Sequence, residues 1–403
     1  MVNRIKIDLF GIVQGVGLRP YVWNLAQKYK LGGFIFNNSK GVNLEIEGQK
    51  SDLEKFIEEF KALALPLARI EKYNFQKVKP LNEKEFIIKK SHLKTKNDFT
   101  LISPDIPTCP DCLKELFDSS DRRLKYPFIN CINCGPRFTI ICDIPYDRKK
   151  ITMKEFKMCP LCQGEYDSFL DRRFHAQPNA CFICGPHLEL INNKGKRIET
   201  KDIIKETVEL ILQGKIIAIK SLGGYHLACD AFNKKTLKTL RERKDREDQP
   251  FALMADCVSS IKKFVHVSRE EEKILLSKIC PIVLLKKNKN CVILEEVAPK
   301  QNYLGFMLPY NPLQHLIFKE LRKAGEKNPI LVMTSGNLHD EPIIYLDDDA
   351  KNKIGKISDY FLLNNRSIYM RCDDSIARIF HKNTYLLRRA RGIVPEPIFT
   401  NKI

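Results

Sequence analysis

Eight cysteines carry the clearest chemistry in this chain. They stand as four Cys-x-x-Cys pairs: Cys109 with Cys112, Cys131 with Cys134, Cys159 with Cys162, and Cys181 with Cys184. Within each half, 18 residues separate the two pairs, and each cysteine of the first half recurs 50 residues later. The surroundings recur as well: Asp121-Arg122-Arg123 against Asp171-Arg172-Arg173, and Cys134-Gly135-Pro136 against Cys184-Gly185-Pro186. This is a duplicated module. A tight Cys-x-x-Cys turn presents two thiolates about one tetrahedral edge apart, and two such turns close a four-thiolate zinc site. A closed site leaves no position for substrate, so two structural zinc ions are expected. Apparent binding of ~10–16 kcal/mol per site can fold a segment too poor in apolar residues to fold unaided. Redox pairs and disulfides are the competing chemistry, and four pairs in one register do not suit them. Cys142, Cys229, Cys257, Cys280, Cys291 and Cys372 have no partner in sequence and read as buried thiols. His175 stands where the first module has Lys125, so it is not a shared ligand and reads as a surface or supporting histidine.

A second constellation lies near the start. Gly11-Ile12-Val13-Gln14-Gly15-Val16-Gly17-Leu18-Arg19 follows a strand-like run and precedes a helical one. Consecutive backbone N–H groups over Gln14, Gly15, Val16, Gly17, Leu18 and Arg19, at a helix start, form an anion cradle. The glycines let the backbone approach a ligand closely, and Arg19 can add a bidentate phosphate contact. A Gly-rich turn taken alone reads equally well as a turn.

A third lies in the C-terminal half. Lys220-Ser221-Leu222-Gly223-Gly224-Tyr225-His226 follows a strand; Lys244-Asp245-Arg246 ends a helix; Thr334-Ser335-Gly336-Asn337 ends another strand. Two cations can offset triphosphate charge, while hydroxyl and amide groups on a strand-end loop can fix ribose or phosphate. Arg388, Arg389 and Arg391 add positive charge near the end. The run Arg241 to Arg246 alone would read as a solvated helix end. Leu308 to His315 reads equally as a turn with a helix cap or as a loop near an acceptor pocket.

Periodicity supplies the elements that must position these groups. Residues 1–92 read as a β-α-β-β-α-β unit of ferredoxin-like type. Its strands fit Arg4–Phe10, Gly33–Asn37 and Val42–Gly48, with alternation again near Glu85–Lys89. Pro20 suits the first turn of the first helix, Gly32-Gly33 its end, and Ser51-x-x-Glu54 a capping box on the second. Residues 93–197 hold the duplicated four-cysteine module. Residues 198–393 read as α/β, with strands at Ile216–Lys220, Phe251–Ala255, Ile282–Lys286, Ile330–Thr334 and Tyr385–Arg388. Its helices fit Asp202–Leu212, Asn233–Arg243, Ser268–Ser277 and Asn311–Ala324. Residues 394–403 are Pro-rich and read as a linker to an absent further domain. The expected class is α+β multidomain.

Composition bounds the function. The 403 residues are 43% hydrophobic and 29% charged, enough to build several cores. No apolar run approaches the roughly 20 residues of a membrane span, and the alternating start is no signal peptide. A cytoplasmic protein without membrane association is expected. The net charge of +19 favours anionic ligands. Its lysines are scattered rather than blocked, so nucleic acid is not required.

The string at Gly11–Arg19, with Gly33-Phe34-Ile35-Phe36-Asn37 beyond it, resembles the acylphosphatase signature. That resemblance implies that Arg19 binds phosphate and Asn37 orients the attacking water; Leu18 departs from the Phe usual there. The C-terminal strings resemble the YrdC-type nucleotide-binding fold, implying Lys244, Arg246, Ser335 and Asn337 as ATP contacts, with Lys220 and Arg388 nearby. The order of the three parts resembles the [NiFe]-hydrogenase maturation carbamoyltransferases of the HypF family. It implies hydrolysis of carbamoyl phosphate, carbamoyl-adenylate formation from ATP with Mg as counter-ion, and transfer to a C-terminal cysteine of HypE. That family continues into a further transferase domain, so complete transfer is not expected from this chain alone. The alternatives are a threonylcarbamoyl-adenylate synthase of tRNA modification and a non-catalytic, zinc-stapled docking scaffold.

Overall fold

In the computed structural model the described residues are 2–62, 65, 67–91, 100–289, 291–339 and 341–398. The division expected at 92/93 lies outside them. The chain forms two compact units, one of residues 1–104, 130–185 and 395–403, the other of residues 105–129 and 186–394.

The first unit opens with β1 (Val2–Ile12), α1 (Leu18–Lys28), β2 (Gly32–Asn38), β3 (Gly41–Gln49), α2 (Lys50–Lys61), β4 (Arg69–Val78) and β5 (Phe86–Ile88). The sheet order is β4-β1-β3-β2-β5. Strand β1 runs antiparallel to β3 and β4, and β2 runs antiparallel to β3 and parallel to β5. Ile7, Leu9, Ile35, Leu44 and Ile46 alternate onto one sheet face and meet Val22, Leu25 and Ala26 of α1 and Phe56 and Phe60 of α2.

Three local expectations need correction. The last strand of the β-α-β-β-α-β order is β4, which sequence alternation did not reveal because most of its residues are exposed; the Glu85–Lys89 segment instead adds an edge strand. Ser51 is not the cap: α2 begins two residues earlier than that box requires, with Gln49 at its N-cap and no side-chain cap. Gly32-Gly33 do not end α1, which stops at Lys28, but open β2. A Cβ on Gly32 would overlap the Glu83 carbonyl, and Gly33 has φ 130° against the Glu45 carbonyl.

The duplication is visible in the backbone. Each module opens with a short helix just after its first cysteine, α3 (Pro110–Phe117) and α4 (Pro160–Asp167), with proline in the first turn. Lys125 and His175, 50 residues apart, both take left-handed backbone with φ 58° and 56°.

The second unit holds β6 (Leu188–Asn192), α5 (Ile203–Leu212), β7 (Ile217–Lys220), β8 (Tyr225–Asp230), α6 (Lys234–Lys244), β9 (Leu253–Ala255), α7 (Val258–Ile261), α8 (Arg269–Leu275), β10 (Ile282–Lys286), β11 (Tyr303–Met307), α9 (Pro312–Lys323), β12 (Ile330–Ser335), β13 (Tyr360–Asn364), β14 (Ile376–Phe380) and β15 (Asn383–Arg388). Its mixed sheet runs β15-β14-β10-β11-β9-β12-β8-β7-β13-β6. Apolar residues of α5 and α9 pack on one face, and those of α6, α7 and α8 on the other. Asp202 and Asn233 cap their helices with side-chain oxygens, and Ser268/Glu271 and Asn311/Gln314 each form a reciprocal capping box. Among the described residues, no helix is long and apolar enough to cross a membrane.

The Gly32 contact gives a test. Gly32→Ala forces β2 off the Glu83 carbonyl and should cost about 2 kcal/mol or more. Denaturant unfolding followed by the fluorescence of Trp23, the chain's single tryptophan, should show the lower midpoint, whereas Gly164→Ala, in the helical backbone of α4 with open space at its Cβ position, should cost nothing.

Candidate functional site

The N-terminal loop is shaped by two glycines that no other residue replaces without strain: Gly15 has φ 71° and Gly17 φ 80°. Gly17 is the left-handed N-cap of α1 and supplies no side-chain cap, so the first N–H groups of the helix face the loop without a side-chain acceptor. The result is a cavity of about 30 Å³ lined by Gly15, Gly17, Leu18, Arg19 and Asn37 among others. Arg19 is nearly buried and pairs with Asp147 at 3.1 Å. Asn37, near the end of β2, is 1% exposed, and neither its amide nitrogen nor its oxygen has a hydrogen-bond partner. A buried amide left open in a cavity beside a cation is arranged to hold something small and polar. The structure thus brings Arg19 and Asn37 together.

Gln14 and Val16 play other parts. The Gln14 amide donates to the Asn38 and Gly41 carbonyls at 2.7 and 2.8 Å and accepts from the Tyr146 N–H at 2.9 Å, so it staples the loop to the β2–β3 turn. Val16 is a core side chain.

The other side of this cavity comes from the cysteine modules. It includes Ile132, Arg137, Tyr146, His175, Gln177 and Pro178, none of them flagged by the sequence as cradle residues, because the contacts span more than 90 positions and leave no local signal. His175 is therefore half-buried and lines the cavity, the supporting rather than the surface reading. Burial, and then the nearby Arg19 charge, press its pKa down to about 3, so the imidazole is neutral at physiological pH.

In each module the four sulfurs lie within 4.8 Å of one another: Cys109, Cys112, Cys131 and Cys134, then Cys159, Cys162, Cys181 and Cys184. Sulfur separations of 3.9 Å for Cys131–Cys134, 3.8 Å for Cys159–Cys181 and 3.9 Å for Cys181–Cys184 match the ~3.8 Å tetrahedral edge implied by a ~2.3 Å Zn–S bond. They far exceed the ~2.05 Å of a disulfide. Backbone N–H groups support thiolate character: Asn133 donates to Cys131 Sγ at 3.3 Å. Burial opposes ionisation of Cys181, yet N–H groups of Ile183 and Cys184 with the neighbouring thiols hold it down at about 7. The eight thiols fit two zinc ions. Of the remaining cysteines, Cys229 and Cys280 are buried, but Cys142, Cys257, Cys291 and Cys372 are only partly so, a correction to the expectation.

In the second unit a cavity of about 690 Å³ is lined by Lys244, Arg246, Ser335, Asn337 and Arg388 together. Asp245 explains the Lys-x-Arg spacing: it takes left-handed backbone at the end of α6, φ 49°, so the chain turns between the two cations. The Lys244 ammonium donates to the Ser335 and Asn337 carbonyls at 2.7 and 2.8 Å and to Asn337 Oδ1 at 2.7 Å. Burial, and then Arg246, lower its pKa to about 7. Arg388 pairs with Asp373, which also lines the cavity.

Lys220 stands apart. Its buried ammonium is bound to Asp347 at 2.6 Å and to the Asn364 carbonyl at 3.0 Å, and it does not line the cavity. Tyr225 donates to Asp347 at 2.6 Å. His226 meets Asp374 at 2.8 Å, and Asp374 is a lining residue whose carboxyl is held far below the usual range, against its own burial, by Arg391 and His226. Leu308–His315 forms the turn and cap, with Asn311 and Gln314 bonded reciprocally. Asp373 and Asp374 were missed, although an acidic pair before a strand in so basic a chain is a usable signal.

The acylphosphatase family matches residues 5–88, the HypF finger matches 108–141 and again 158–191, and the Sua5/YciO/YrdC family, described as telomere recombination, matches 209–390. Carbamoyltransferase HypF2 of Cupriavidus necator is 41% identical over 98% of this chain and 51% of its own. The probable carbamoyltransferase HypF of Methanocaldococcus jannaschii is 41% identical over 99% of this chain and 51% of its own. A crystal structure of full-length HypF in its phosphate- and nucleotide-bound form superposes with TM-score 0.91 at 46% identity, covering 99% of this chain and 51% of that one. The chain spans about half the length of these relatives.

Two outcomes are expected from this geometry. Purified chain should carry two zinc ions; stripping them with a strong chelator should change Trp23 fluorescence, because its ring lies 4.5 Å from Phe169 of the second module. Nucleotide affinity should fall as pH rises from about 7 to 9, because a polyphosphate favours charged Lys244 and binding then takes up a proton. Lys244→Arg should flatten that slope, measured by calorimetry in two buffers of different ionisation enthalpy.

Proposed function

Because the chain belongs to the HypF family over the half of those proteins that it spans, we propose that it carries out the early steps of a [NiFe]-hydrogenase maturation carbamoyltransferase. In the first, the Arg19/Asn37 cavity binds carbamoyl phosphate. Water held by Asn37 attacks phosphorus, the bond from phosphorus to the carbamoyl oxygen breaks, and phosphate and carbamate leave. This reaction needs positioning and charge stabilisation more than a strong base, and a buried cation beside an open amide offers both. In the second, the carbamate oxygen attacks the α-phosphorus of ATP, giving carbamoyl-adenylate and pyrophosphate. Lys244, Arg246 and Arg388 supply the positive charge, Ser335 and Asn337 the polar contacts, and Mg accompanies the triphosphate. Transfer to the HypE C-terminal cysteine belongs to the family's remaining length. Residues 1–92, 93–197 and 198–393 are the working divisions, 394–403 a linker, and the cytoplasm the compartment.

The observation that carries this reading is the Asn37 amide, buried with both polar atoms open in the cavity that holds Arg19. A relative crystallised with phosphate and nucleotide supports it.

The test is carbamoyl-phosphate-dependent ATP–pyrophosphate exchange by the purified chain, beside a threonine-plus-bicarbonate control. Exchange with carbamoyl phosphate is expected, with at least a hundredfold loss in Arg19→Ala, or about 3 kcal/mol of transition-state stabilisation. Exchange only with threonine would move the protein to tRNA modification; exchange with neither, and no binding of ATP or carbamoyl phosphate, would move it to a docking role, whereas phosphate release without exchange would leave only the first step with this chain.

A further inference from the structure

The cradle residues come from the first 37 positions, yet half of the cavity wall comes from the cysteine modules. The second copy supplies His175, Ala176, Gln177 and Pro178 to the wall.

This stretch of wall is held rigidly. Gln177 donates to the His175 carbonyl at 2.8 Å and to the Tyr166 hydroxyl at 2.9 Å. It also accepts from the Arg148 N–H at 2.8 Å, and Arg148 in turn donates to the Gln177 and Asn179 carbonyls. The His175 ring sits between Phe174 and Tyr166, at 4.7 and 5.0 Å, and Phe174 meets Trp23 of α1 edge-on at 5.8 Å. The wall is thus pinned to the helix whose first turn forms the cradle, and it cannot swing aside for a larger ligand at small cost. The cavity between them is about 30 Å³.

We propose that His175 is a specificity-determining residue of the hydrolytic site: it forms, with residues 176–178, a fixed wall that admits an acyl phosphate with a small planar acyl group, such as carbamoyl, and rejects a bulky one. The imidazole is neutral and sets a steric limit rather than a second charge beside Arg19. The inference rests on the hydrolytic reading proposed above. The hydrolysis it limits consumes one water, breaks the bond between phosphorus and the acyl oxygen, and releases phosphate, the acyl carboxylate or carbamate, and a proton.

The test compares kcat/KM for acetyl, carbamoyl and benzoyl phosphate in the zinc-loaded wild-type chain and in His175→Gly, a residue that suits the left-handed backbone at this position. The wild type should hydrolyse the two small substrates and discriminate against the aromatic one. The benzoyl-to-acetyl ratio should rise at least tenfold in the variant, a change in preference that loss of folded protein does not produce. His175→Asn, smaller than histidine and tolerant of positive φ, reads the same ratio if the glycine variant fails to fold. An unchanged ratio in a folded variant would overturn the wall as the determinant while leaving the hydrolytic site intact. Hydrolysis of none of the three by wild type would overturn the hydrolytic reading, and the inference with it.

Discussion

Arg137 donates all five of its guanidinium N–H groups to backbone carbonyls. Nε reaches the Gly15 carbonyl at 2.7 Å; the other four go to Cys131, Ile132, Cys134 and Pro136 at 2.9 to 3.3 Å. The side chain is 2% exposed. Four of these carbonyls belong to the turn that presents two zinc ligands, and the fifth to the loop that wraps the candidate phosphate. The carbonyls converge only if the cysteine turn keeps its shape, and four thiolates closing on a metal are what fix that shape. Gly15 has a second reason to be glycine here, since a Cβ would press on the Arg137 Cδ and the Tyr146 ring. The cysteine repeat is therefore part of the Arg19/Asn37 cavity in a mechanical sense. Asp147 on Arg19 and Tyr146 on Gln14 extend the same dependence.

The cavity of the second unit rests on buried charge as well, held differently. Lys244 lies under the strand-end loop and ties Ser335 and Asn337 to the end of α6, so the expected contacts are positioned by one another rather than by the sheet alone. Asp374 lies between His226 and Arg391, whose guanidinium stacks on the Tyr310 ring at 3.3 Å. Breaking such a pair leaves an uncompensated charge in a buried place, at a cost of ~3–5 kcal/mol.

Much of this was legible beforehand, for physical reasons. Metal-ligand spacing is a local property, so all eight cysteines could be read and paired. Glycines at positive φ before a helix are local too, and they located the cradle. The long amphipathic helices announced themselves by period and caps, with Asn311-Pro312 and Ser268-x-x-Glu271 forming as written. Strand β4 escaped because nearly all its side chains face solvent and its stability comes from pairing with β1. Asp147, Arg137 and His175 escaped because a site built from segments more than 90 residues apart leaves no trace in either. Lys220, at the end of a strand and beside the Gly-Gly turn, was expected near the ligand by resemblance, yet the fold binds it to Asp347, a partner 127 positions away.

The cysteine turn positions the Gly15–Arg19 loop through Arg137. Orthophosphate binding by the zinc-loaded chain, compared between wild type and Arg137→Lys, tests this directly. Lysine keeps the charge but cannot bridge the five carbonyls. With zinc content unchanged at two per chain, the account predicts at least a tenfold loss of orthophosphate affinity. Unaltered affinity at full zinc occupancy would contradict it, and would show that the cradle holds its shape without the metal-binding repeat.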